Sequence, residues 1–208
     1  MSTLRKRLAR AALIVLAPVL VASCGINNIP TKEETAKAQW AEVQNQYQRR
    51  SDLIPNLVET VKGYAAQEKS VLVEVTEARA SATQVKVDAS TLTDPAKFQQ
   101  YAAAQDKLSG VLGRLMMIQE NYPDLKSNQN FMALQSQLEG TENRIAIARR
   151  DYNEAVRDYN LEFKTIPNSF WAAFHKDSKP MQMFEASAAA QSAPSVSFSP
   201  TAPAPKAQ

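Results

Sequence analysis

The side chains best able to do chemistry are scarce: one cysteine, Cys24, and one histidine, His175, in 208 residues. A single thiol excludes an internal disulfide and any multi-thiolate zinc site, and a single imidazole excludes HExxH-type metal motifs. The five glycines form neither GxGxxG nor GxxxxGK[ST], so no phosphate-cradling loop is present. Two pairs of carboxylates sit one helical turn apart, Glu139 with Glu142 and Asp151 with Glu154. Such pairs can serve acid–base catalysis or, with ExxH elements, a carboxylate-bridged metal centre. His175 has no Glu three residues before it, and a solvated helix face with i,i+4 pairing accounts for the acids better. Hydroxyls are plentiful but have no second imidazole to activate them. No catalytic residue, metal site or cofactor is therefore expected.

The basic residues carry a different message. Arg5, Lys6, Arg7 and Arg10 precede an apolar run from Ala11 to Val21, and Val21-Ala22-Ser23-Cys24-Gly25 follows. That run is short of the roughly 20 residues a bilayer-spanning helix needs and suits a signal peptide. Small residues before a lone Cys resemble the lipobox of bacterial lipoproteins, with residues 1–23 cleaved and Cys24 the acylated (palmitate-bearing) N-terminus. Several acyl chains at ~0.8 kcal/mol per buried CH₂ hold firmly where one does not. The helical domain is then expected outside the cytoplasm, and Gly25 after the Cys resembles outer-membrane sorting, facing the periplasm where two membranes exist. Without residues 1–23 the formal charge of +3 becomes −1. Arg144, Arg149, Arg150 and Arg157 are interleaved with Glu142, Asp151, Glu154 and Asp158, which predicts a salt-bridged face and no nucleic-acid binding.

These residues must be carried by helices. After a linker over 24–31, Thr31 with Glu34 fits a capping box, and a 3,4 spacing runs through Val43, Tyr47, Arg50, Ile54, Leu57, Val61, Tyr64, Glu68, Val71, Val75 and Ala78. The spacing predicts one helix from about Lys32 to Ala80. Because the phase survives Pro55, a kink recapped by Ser51 or Asp52 is expected there; a reversal would add a fourth helix. Asp94-Pro95 starts a second helix carrying Phe98, Tyr101, Gln105, Leu108, Leu112, Leu115, Gln119 and Tyr122 and closed by Asn121-Tyr122-Pro123-Asp124. A third carries Phe131, Leu134, Leu138, Thr141, Ile145, Ala148, Tyr152, Ala155 and Tyr159. In it Arg150-Asp151-Tyr152-Asn153 recurs one heptad later as Arg157-Asp158-Tyr159-Asn160, placing both tyrosines on one face. The expected fold is all-α: an antiparallel bundle of three to four long helices over 32–185.

The long first helix would overhang its partners, and Phe170-Trp171-Ala172-Ala173-Phe174, after the Pro167 break, could cover it by folding back; a membrane interface or a partner is the other use for these aromatics. Gly63, Gly110, Gly113 and Gly140 sit inside helical pattern, where close helix approach or bending would explain their cost. Residues 186–208 are rich in Ala, Ser and Pro and are expected to be a disordered tail.

Two blocks of the chain resemble the LemA family. The first runs from Trp40 to Arg79 and includes Asn45-Gln46-Tyr47, Arg49-Arg50, Asp52-Leu53-Ile54-Pro55-Asn56-Leu57-Val58, Thr60-Val61-Lys62-Gly63-Tyr64-Ala65. The second includes Asn130-Phe131, Leu134-Gln135, Leu138-Glu139, Thr141-Glu142-Asn143-Arg144-Ile145, Ala148-Arg149, Tyr152-Asn153 and Tyr159-Asn160. The resemblance spans roughly Thr31 to Glu185 and leaves the tail outside. It implies a bacterial, mostly helical, membrane-anchored protein with its domain outside the cytoplasm and no catalytic residues to carry over. Many members keep an uncleaved transmembrane helix, whereas this chain looks lipidated.

The expected function is a non-enzymatic, lipid-anchored interaction protein or scaffold of the cell envelope. Its membrane contact would be the anchor at Cys24. Asp52, Ile54, Pro55 and Asn56 are the candidate surface for a protein partner, because Pro55 and Asn56 are costly in an ordinary helix. An accessory subunit of an envelope protease or wall-remodelling enzyme is one alternative. A self-assembling, membrane-shaping bundle, and hence a homo-oligomer, is the other.

Overall fold

The computed structural model describes residues 27–85, 88, 90–166, 168–172, 175 and 177–185, without the side chains of Phe170 and Trp171. The signal segment, Cys24, Pro167, Phe174 and the tail over 186–208 lie outside the described residues.

Alternating buried positions build four principal helices. In α1 (Asn28–Tyr64) the buried set Ile29, Ala36, Trp40, Val43, Tyr47, Arg50, Ile54, Leu57 and Val61 keeps the 3,4 spacing. The chain then reverses over Ala65–Glu68 into α2 (Lys69–Gln84) and again over 88–94 into α3 (Pro95–Met117). A 3₁₀ turn (Ile118–Asn121) and a one-turn α4 (Pro123–Lys126) lead to α5 (Gln129–Glu162), followed by the short α6 (Asn168–Ala172). Cross-helix contacts fix the directions. Arg79 of α2 meets Ser51 of α1, Arg114 of α3 meets Glu74 of α2, and Glu142 of α5 meets Arg50 of α1. Successive long helices are antiparallel, giving a four-helix bundle.

Of the expected capping signals the one at Asp94-Pro95 acts, and Asn128 adds a cap not expected from the sequence. The Asp94 side chain accepts from the N–H groups of Ala96 and Lys97, with Pro95 in the first turn, and Asn128 accepts from Phe131 N–H. The Thr31–Glu34 box does not form. The helix starts at Asn28, drawn back by Ile29, whose side chain is fully buried, so residues 28–31 are helix rather than linker.

One expectation is corrected at Pro55 and Ala65. The helix runs through Pro55, and no recapping by Ser51 or Asp52 occurs; Asp52 instead accepts a hydrogen bond from Gln48. Proline leaves the carbonyl four residues back, that of Ser51, without its helical donor. Arg79 supplies the substitute, its Nε–H donating to Ser51 O at 2.9 Å. The reversal comes ten residues later, so the expected single helix over 32–80 is two. No Gly or Pro marks the turn at 65–68. It is held by tertiary contacts: Ala65 is fully buried, Gln67 donates to the Tyr122 hydroxyl, and that hydroxyl donates to Glu68.

The helix interior forms two apolar clusters. One joins Ile54, Leu57, Val61, Val75, Leu108, Leu115, Phe131 and their neighbours; the other joins Trp40, Val43, Tyr47, Phe98, Tyr101, Tyr152 and Tyr159. α2 is too short to cover the first half of α1, and that half is closed partly by Met181 and Phe184, both buried. Ala172 packs against the same cluster, while the side chains of Phe170, Trp171 and Phe174 lie outside the described residues. The glycines do not mark close approach: a Cβ at Gly63, Gly110, Gly113 or Gly140 would meet nothing within 4 Å.

The Arg79–Ser51 contact predicts a coupling. Arg79→Ala should lower unfolding free energy by about 1–3 kcal/mol, the cost of an orphaned, partly buried carbonyl. In a Pro55→Ala background, where the helix regains its own donor, the same change should cost clearly less in denaturant titrations. Equal losses in both backgrounds would contradict this account of how α1 passes the proline.

Candidate functional site

The surface named from sequence divides. Asp52, Pro55 and Asn56 are exposed on one side of α1, where spacings of three and four bring them together. Ile54 is not part of it: at 1% exposure it belongs to the core beside Leu57 and Val61. Among the carboxylates, Glu142 leaves the solvated face to accept from Arg50 Nη1 at 2.9 Å, while Glu139 accepts from Gln135. Arg150 pairs with Asp151 and Arg157 with Asp158, neighbours rather than i,i+4 partners, and Arg149 reaches across to Asp106 on α3. Among the described residues no group of three or more His, Cys, Asp or Glu could hold a metal ion, and no helix is long and apolar enough to cross a membrane.

Arg50 is the least expected interior group. At 1% exposure its guanidinium donates through Nη1 to Ser109 Oγ (2.5 Å) and Glu142, and through Nη2 to Gln105 Oε1 (2.6 Å) and Gln105 O (3.2 Å). Its Cζ lies 5.0 Å from the centroid of the Tyr47 ring. Gln105 in turn donates to Ala82 O, so one polar layer touches all four long helices between the two apolar clusters. A cavity of about 230 Å³ opens beside this layer, lined by Tyr47, Ser51, Tyr101 and Gln105 among others. Burial pushes the Tyr47 phenol up from its ordinary value.

The repeated Arg-Asp-Tyr-Asn of α5 builds a second arrangement. Residues 179–184 run as an extended strap along α5, and each repeat holds one part of it. Tyr159 donates to Lys179 O (3.1 Å), while Asn160 both donates to Met181 O and accepts from Met181 N–H (2.9 Å each). One heptad earlier Tyr152 donates to Gln182 O (2.9 Å), and Asn153 holds Phe184 N–H and C=O in the same way (2.8 Å each). A heptad of helix rises about 10.5 Å and three extended residues span about 10 Å, so the two periods match. On its other side the strap donates from Gln182 N–H to Leu92 O at 2.7 Å. Phe184 enters an aromatic cluster with Trp40, Phe98 and Tyr152, and the Arg149 guanidinium carbon lies 4.4 Å from its ring centroid. Every polar contact from α5 reaches the strap backbone, so only Met181 and Phe184 carry side-chain selectivity. The heptad repeat was the visible sign of this clamp; the strap itself has no periodic signature.

Where the strap begins, Glu33 accepts from Ser178 Oγ (2.6 Å) and pairs with Lys37 (2.9 Å). Burial opposes its negative charge, but the hydrogen bonds from Ser178 and Lys37, with the lysine's charge, hold the carboxyl below its usual value. Burial, with Glu33 nearby, pushes the Tyr159 phenol up to about 12. A cavity of about 470 Å³ opens here between Glu33, Lys37, Trp40, Asp88 and Lys179. Its mixed charges give no field of one sign for an ion.

The family model described as the LemA family matches residues 39–198. That extends into the segment after Glu185, which the sequence comparison of blocks had left outside. Among curated proteins, Magnetosome protein MamQ 2 and Magnetosome protein MamQ 1 of Paramagnetospirillum magneticum are each 26% identical over 178 residues. Each alignment covers 78% of this chain and 65% of the relative. Magnetosome protein MamQ of Magnetospirillum gryphiswaldense is 25% identical over 181 residues, covering 79% of this chain and 66% of the relative. The chain therefore spans a little under two thirds of the length of these relatives.

Removing the clamp tests its importance. Asn153→Ala strands Phe184 N–H and C=O, and Asn160→Ala strands those of Met181. Each should cost about 1–3 kcal/mol in denaturant titrations and speed limited proteolysis between 179 and 185. Unchanged stability and cleavage in the double variant would contradict a structural clamp.

Proposed function

Because the chain belongs to the LemA family, we propose that it is a lipid-anchored helical interaction protein of the bacterial cell envelope, without catalysis of its own. Cys24 is the lipid attachment point, and the exposed α1 face of Asp52, Pro55 and Asn56 receives a protein partner. The observation that carries the reading is the intact helix under Pro55. The proline ring faces water, and its missing hydrogen bond is replaced from the opposite side by Arg79. That leaves the face rigid, free of duty toward the core, and open between two polar side chains. Engagement of the candidate acids supports the non-enzymatic part: Glu142 serves Arg50, Glu139 serves Gln135, and Asp151 serves Arg150. The relatives named as magnetosome proteins are bacterial and support the bacterial setting.

Photo-crosslinking in native membranes tests the proposal, with the reactive group placed at Asn56. The expected result is one recurrent crosslinked protein, lost in Asp52→Lys and also lost in Cys24→Ala, which removes fatty-acid labelling. Absence of a recurrent product, or one indifferent to Asp52→Lys, would overturn the docking face. Labelling that persists in Cys24→Ala would overturn the anchor.

A further inference from the structure

A third cavity, about 460 Å³, lies between α3 and α5, further along the same face of α5 that carries the strap. Its lining includes Leu112, Met116 and Leu138, with Gln135, Glu139 and Asn143 around them. Gly113 also lines it, and a Cβ there would meet nothing within 4 Å, so the groove has room for an inserted side chain. Gln135 and Asn143 bring to it the carboxamide chemistry with which Asn153 and Asn160 hold an extended backbone.

The direction of the strap points at this groove. Lys179 and Met181 are held by Tyr159 and Asn160, then Gln182 and Phe184 by Tyr152 and Asn153, so the chain travels toward the N-terminal half of α5. Beyond the Arg149–Asp106 bridge, the groove residues of α5 come next on that path. Asn153 and Leu138 are about 22 Å apart along the helix axis at ~1.5 Å per residue. From Phe184 to Val196 the chain has reach for about 40 Å when extended.

The sequence after Glu185 supplies a suitable occupant. Among Ala, Ser and Pro, the only branched-aliphatic or aromatic side chains are Val196 and Phe198, in the alternation Ser195-Val196-Ser197-Phe198. Alternation puts both on one side of an extended segment. The family match ends at 198, so it takes in both residues and stops there.

We infer that residues 195–198 of the same chain dock in the groove between α3 and α5, with Val196 and Phe198 against Leu112, Met116 and Leu138, extending the strap along α5. Attachment to the bundle through the strap keeps this segment at high effective concentration, which favours the chain's own groove over that of a second copy.

The test uses the full chain with a photoreactive phenylalanine at position 198. Irradiation should join it within one chain to peptides carrying Met116 or Leu138. Gly113→Trp and Gln135→Trp, which fill the groove from opposite walls, should each remove that product while leaving the helical circular dichroism unchanged. Should either variant fail to fold, the crosslink position in the parent protein decides alone. Mixing isotopically heavy and light protein separates the occupants. Products joining heavy to light chains would show a second copy in the groove and overturn the inference, as would products elsewhere or none.

Discussion

Arg50 sits in the middle of the bundle with four of its five N–H groups directed at α3 and α5, and the two apolar clusters end on either side of it. A buried guanidinium left uncompensated costs several kcal/mol, so the helices must bring Gln105, Ser109 and Glu142 to its level. Sliding α5 by one heptad would bring Gln135 or Arg149 to the place of Glu142, which apolar packing alone would tolerate. The apolar seams repeat and can satisfy several registers; the polar layer occurs once. The same argument ties α2 into place, since Gln105 reaches Ala82 O and Arg79 reaches Ser51 O, one residue beyond Arg50.

With that register set, the remaining features fall on two sides of the layer. Toward the C-terminal end of α1, a helical hairpin with α2 completes a four-layer core. Toward its N-terminal end α2 runs out, and the chain closes the opening with an extended strap instead of a fifth long helix. This solution needs a helix able to hydrogen-bond a strand-like segment that has no sheet to join. Asn153 and Asn160 meet that need, each pairing with both backbone groups of one strap residue, and one heptad of spacing suits three extended residues. Pro55 is handled by the same kind of device, a side chain standing in for an absent backbone partner.

Much of this was legible before the structure. The seam through Val43, Tyr47, Ile54, Leu57 and Val61, the helix start at Asp94-Pro95, and the inward tyrosines of the repeat all follow from period and capping. Of the polar residues at seam positions, Arg50, Gln105 and Thr141 are buried, while Glu68 stands in the turn after α1. The turn at 65–68 was not legible, because Ala65-Ala66-Gln67-Glu68 contains no turn residue and the apolar phase resumes at Val75 and Ala78. Nor was the strap, whose two buried side chains, Met181 and Phe184, stand three residues apart in an extended segment without a repeating pattern. Ile54 was placed on a surface because its neighbours Pro55 and Asn56 are unusual in a helix; the period already assigned it to the core. The LemA resemblance located the fold correctly but carried no residue roles, so the site had to come from geometry.

A double-mutant cycle between Arg50→Met and Glu142→Leu, read by denaturant unfolding, tests the dependence on the polar layer most directly. Arg50 and Glu142 are in contact, with Arg50 fully interior and the Glu142 side chain 38% exposed. The account predicts that each single change is strongly destabilising and that the double variant is more stable than the sum of the two losses implies, by at least about 1 kcal/mol. Additive losses would show that the pair does not act as a unit and that the register is set by apolar packing alone.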